Sequence, residues 1–112
     1  MATNLYVMKT TFYDRHEKRD YYKAIEVMRQ LEADPSMADA ARQFVQQYMA
    51  NDPHQAKYAV IWPDLLSCPV DHIAQRLLDD SPSGDLLRQT RPPFGRGLTS
   101  CEIAQVIEKM DA

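Results

Sequence analysis

Residues able to do chemistry are scattered along this chain, and few of them fall at useful spacings. Cys68 and His72 stand four residues apart, so a helix would carry thiol and imidazole on one face. Those are the side chains of a zinc site, or of a thiol nucleophile with its base. A tetrahedral site needs two more ligands, from Cys101 and either His54 or His16, and no second pair at ligand spacing supplies them. A cysteine at a helix start also packs simply as a small apolar group. Asp79 and Asp80 fall where a helix should end, and there they oppose its dipole. Glycine-rich phosphate loops, the GxSxG elbow and the DxDxDG calcium loop are all absent from the sequence. The expectation is a protein without catalytic residues, metal or cofactor.

Two constellations suit binding instead. In the first, Arg88, Arg91 and Arg96 surround Phe94 in a segment stiffened by Pro92 and Pro93. Guanidinium forks match carboxylate or phosphate, and an aromatic ring fills a partner's pocket or stacks on a base. The same segment also reads as a connector that buries Phe94 and leaves the arginines solvated. In the second, Tyr13 and Tyr22 lie beside Arg15, Lys18 and Arg19. Tyrosine buries its ring and tolerates water at its hydroxyl, which suits an interface. These nine residues form the candidate partner-binding set.

Charge narrows the partner. The net charge is −3, which disfavours a generally basic nucleic-acid binder. Residues 9–29 carry six basic and four acidic side chains, residues 30–87 carry three and nine, and residues 88–97 carry three arginines and no acid. The acidic middle repels phosphate and the arginine segment attracts it. A helix-turn-helix over 69–79 and 83–90 would turn an acidic corner towards the backbone of DNA. The expected function is a non-enzymatic regulatory, adaptor or inhibitor protein that binds another protein or complex. The alternative is a nucleic-acid-associated regulator working through residues 88–97. A homodimer is compatible with the tyrosines and methionines.

The positioning elements follow from periodicity and punctuation. A chain of 112 residues with 45% hydrophobic content makes one domain, 1–112, with its own core. It has no apolar run long enough to span a bilayer and no secretory signal, and its two isolated cysteines suit a reducing compartment. The expectation is a cytoplasmic protein that does not enter membranes.

Tyr21, Ala24, Ile25, Met28 and Leu31 recur at three- and four-residue spacing, predicting a helix over 17–33 with Lys23 and Glu26 facing solvent. Asp34-Pro35, Asp52-Pro53, Cys68-Pro69 and Ser81-Pro82 each read as a helix start. The helix after Pro35 should run to Met49 and fold back on the first as a hairpin. Further helices are expected over 69–79, around Leu86-Leu87, and after the capping box Thr99-Ser100-Cys101-Glu102. Residues 5–12 and 57–62 suit either strand or helix, and in the second case Pro63 would be the stop. The predicted fold is a mainly α bundle of about five helices. The alternative is α+β, with those two segments paired in a small sheet.

Overall fold

Asp14 starts the first helix by accepting a 2.8 Å hydrogen bond from the Glu17 N–H, which satisfies one of the donors orphaned at a helix start. The computed structural model describes residues 9–95 and 98–111. Among them are six helices and no strand: α1 (Arg15–Ala33), α2 (Met37–Phe44), α3 (Trp62–Leu66), α4 (Val70–Leu77), α5 (Pro82–Thr90) and α6 (Ser100–Met110). A π-helical turn, Val45–Met49, prolongs α2, and the Ala50 N–H reaches back five residues to the Val45 carbonyl. The protein is a mainly α bundle. Among the described residues, no helix is long and apolar enough to cross a membrane.

α1 is the central element. It packs against α4 and α5 on one side and α6 on the other. Arg15 at its start grips Asp111 just beyond α6, and Gln30 near its end reaches Glu102 at the start of α6, so the two helices run antiparallel. Contact on two sides buries more of α1 than one amphipathic stripe. Val27 joins Tyr21, Ala24, Met28 and Leu31 inside, and Glu26 is buried as well. The expectation that Glu26 faces solvent is therefore corrected. It is held by an ion pair with Arg29 on the next turn.

α2 does not fold back along α1 as a hairpin. It packs on α3, where the Arg42 guanidinium donates to the Leu66 carbonyl at 2.6 Å. Asp34 is not its cap either. That carboxylate accepts from Ser36 N–H and Oγ in the preceding turn.

Residues 57–62 are not a strand. From Asp52 onward the backbone closes short local bonds, Gln55 to Asp52, Tyr58 to Gln55 and Ile61 to Tyr58. Pro63 opens α3 instead of stopping a helix, because its missing N–H costs nothing in the first turn. Of the other proposed strand, residues 5–8 lie outside the described residues and 9–12 have no regular structure.

The core gathers around Trp62, Tyr21, Phe94, Leu31, Leu66, Ile73 and Leu77. The Trp62 indole N–H donates to Thr90 Oγ1 at 3.1 Å, which ties α3 to the end of α5. Ser81 caps α5 and Thr99 caps α6 with the reciprocal Glu102 bond, as their sequences predict.

Candidate partner-binding groove

Arg91 precedes a proline, so its backbone is pushed out of the helical region to φ −57, ψ 123, and α5 ends at Thr90. The next residues run extended and alternate. Pro92 and Phe94 point into the core, while Arg91 is half-buried and Pro93 exposed. Gly95 then turns with φ +61, a conformation that favours glycine. This buried pair anchors the connector beside α1 and α6.

The anchored connector, α1 and α6 enclose an open groove of about 330 Å³. Its walls are Val27 of α1, Ile103 of α6, and Pro93 and Leu98 of the connector. Two cations line it, Lys23 of α1 and Arg91. Among the described residues, neither side chain makes a hydrogen bond or an ion pair. Burial pushes the Arg91 guanidinium below its ordinary value, and the nearby charge of Asp20 acts the other way. A guanidinium remains charged under such a shift. The result is a half-desolvated cation over an apolar wall, with a second cation nearby.

The other expected contact residues are placed differently. Phe94 is 1% exposed, so its ring belongs to the core and is not placed to enter a partner. Arg88 is likewise turned inward, with its side chain 6% exposed. Its guanidinium donates to the Leu77 and Asp79 carbonyls at 2.8 and 2.9 Å, pairs with Asp85, and lies 4.9 Å from the Tyr21 ring centroid. It closes the end of α4 and is corrected from a surface residue to an internal clasp. Arg96 lies outside the described residues.

Compared with protein-family models, curated proteins and solved structures, the chain matches none.

The N-terminal constellation is only partly available. Arg15 is committed to a bidentate pair with Asp111, at 2.7 and 3.1 Å. Arg19 contacts His16 at 2.9 Å, and its Nε is buried with no partner among the described residues. Lys18 sits 5.9 Å from the Tyr22 ring centroid, and the Tyr22 ring packs edge-on against Phe12. Tyr13 projects freely and is 91% exposed. These residues do not line the groove.

Among the described residues, no hydrogen bond joins Cys68 to His72. The Cys68 thiol donates to the Asp64 carbonyl at 3.3 Å, and among the described residues no group of three His, Cys, Asp or Glu side chains is placed to hold a metal ion. Cys68 and Cys101 are both free thiols.

Sequence reasoning missed Lys23, Val27 and Ile103 as groove residues. Lys23 and Val27 are one helical turn apart, a spacing that places them side by side. The missing signal was the position of α6, beside which Val27 is buried and Lys23 half-buried at the groove.

Proposed function

We propose that this protein works by binding another protein, as a small regulatory, adaptor or inhibitor module in the cytoplasm with no covalent chemistry of its own. One observation carries the reading: Arg91 lines the apolar groove half-buried, with no hydrogen bond or ion pair to another described residue. Desolvating a charge costs free energy unless a counter-charge meets it. A partner's acidic group would meet it, and charge-assisted hydrogen bonds to guanidinium are strong ones. The apolar wall beside it would supply buried area, which is how interfaces surround a charged anchor.

Affinity capture from source-cell lysate tests this, with nuclease-treated and untreated samples at low and high salt. The wild-type chain should retain a stoichiometric protein that survives nuclease, and Arg91→Gln should retain much less of it. Recovery of nucleic acid alone, lost at high salt, would overturn the proposal in favour of phosphate binding.

A further inference from the structure

We infer that the groove between α1, α6, residues 91–95 and Leu98 recognises an internal acidic-apolar segment of a partner protein, with an Asp or Glu carboxylate on Arg91 and Lys23 and a neighbouring aliphatic side chain on Leu98 and Ile103. This rests on the protein-binding reading above and names the chemistry of that partner. Charge complementarity sets the anion. Arg91 supplies a planar fork and Lys23 a mobile ammonium. Among its described lining residues the groove carries two cations and no acid, which complements a carboxylate. A nucleic-acid track also needs a series of cations, and Arg88 and Arg15 are spent on internal bonds.

The walls set the rest. Pro92 and Pro93 have no N–H, so that part of the connector cannot add a strand to a partner's sheet. The charged and apolar side chains that line the groove suit a side-chain carboxylate inside a continuing segment. The groove is open, so a chain can enter and leave it, and its volume of about 330 Å³ accommodates a short stretch.

The test is a nuclear magnetic resonance titration of the full chain, following the Arg91 Nε–H and the Leu98 and Ile103 methyl signals. The probes are the blocked tripeptide acetyl-Leu-Glu-Leu-amide, its Gln counterpart, acetyl-Leu-Leu with a free C-terminus, and inorganic phosphate. The Glu peptide should shift all three signals saturably in the millimolar range, and the Gln peptide should bind at least fivefold more weakly. Arg91→Gln and Lys23→Gln should each weaken the Glu peptide at least threefold. Thermal melting checks the fold of both, and Lys23→Gln carries the test if Arg91→Gln melts early. Equal binding of the Glu and Gln peptides, tighter binding of phosphate or of the free C-terminus, or no saturable shift would each overturn the inference. A protein still captured from lysate in that case would leave the broader reading standing. Capture of no protein would sink the broader reading whatever the peptides do.

Discussion

Arg88 and Arg91 are three residues apart and carry the same fork, yet one is a clasp and the other lines a groove. The difference is what each side chain meets. Arg88 finds the carbonyls of Leu77 and Asp79, left open where α4 ends. Arg88→Lys keeps the charge but not the fork, and should cost about 2 kcal/mol, read from the midpoint of urea unfolding. Tyr21 is a similar hub. Its hydroxyl donates to the Leu78 carbonyl at 2.5 Å and accepts from the Lys9 N–H at 3.1 Å. Tyr21→Phe should cost about 1–2 kcal/mol, because two buried groups lose a partner.

The titrating residues give the stability curve two edges. Glu26 is held below the usual carboxylate range, chiefly by its hydrogen bond from Arg29, and Asp111 by the one from Arg15. A depressed acid stabilises the fold above its unfolded value, and that contribution is lost as pH falls through the folded value. Lys9 is raised, first by its hydrogen bond to Glu17 with burial opposing, and Tyr21 is raised chiefly by burial. Their contributions are present below their unfolded values of about 10 and are lost as pH rises through the folded ones. Unfolding free energy against pH should therefore fall off on both sides of neutrality, and Lys9→Met should flatten the alkaline side. The roles of these residues were not legible in sequence. Arg88 lies 11 residues from Leu77 and Tyr21 lies 57 from Leu78, and no local pattern records such a meeting.

At the scale of elements, glycine and capping residues make opposite predictions from the same helix physics. Gly84 sits inside α5, where alanine raises intrinsic helix propensity by about 1 kcal/mol. A Cβ there would stand 2.1 Å from the Asp79 carbonyl oxygen, and that oxygen is backbone. Gly84→Ala should therefore destabilise, by about 1–3 kcal/mol, and lower Tm by several degrees in calorimetry. Thr99→Ala removes the cap of α6 and should cost about 1 kcal/mol, with the loss seen first as faster amide exchange over residues 100–103.

Caps of this kind were legible because they act within four residues. Thr99 with Glu102 and Ser81 with Pro82 are where the sequence places them. Residues 57–62 were not, because the five apolar residues after Lys57 fit strand and helix equally. Nothing in their composition says that Trp62 would be drawn inward to Thr90 and begin a helix there.

At the scale of the whole molecule, the arrangement depends on α1 lying between α4 and α5 on one side and α6 on the other. That placement buries Glu26 and turns Lys23 and Val27 towards Ile103. The apolar stripe predicts a helix but not how many neighbours it will have, so the bundle was legible while the groove was not. The candidate site shares this history. Arg91 was marked by its type and its place before two prolines, whereas its groove partners come from elements whose packing is set at long range. The central claim is that Arg91 is the anchor for an acidic partner. The most direct measurement is the affinity of the captured partner for wild-type and Arg91→Gln chains by calorimetry, with both folds checked by melting. A loss of at least tenfold, about 1.4 kcal/mol, is the expected result. Equal affinity for the two folded chains would contradict the account.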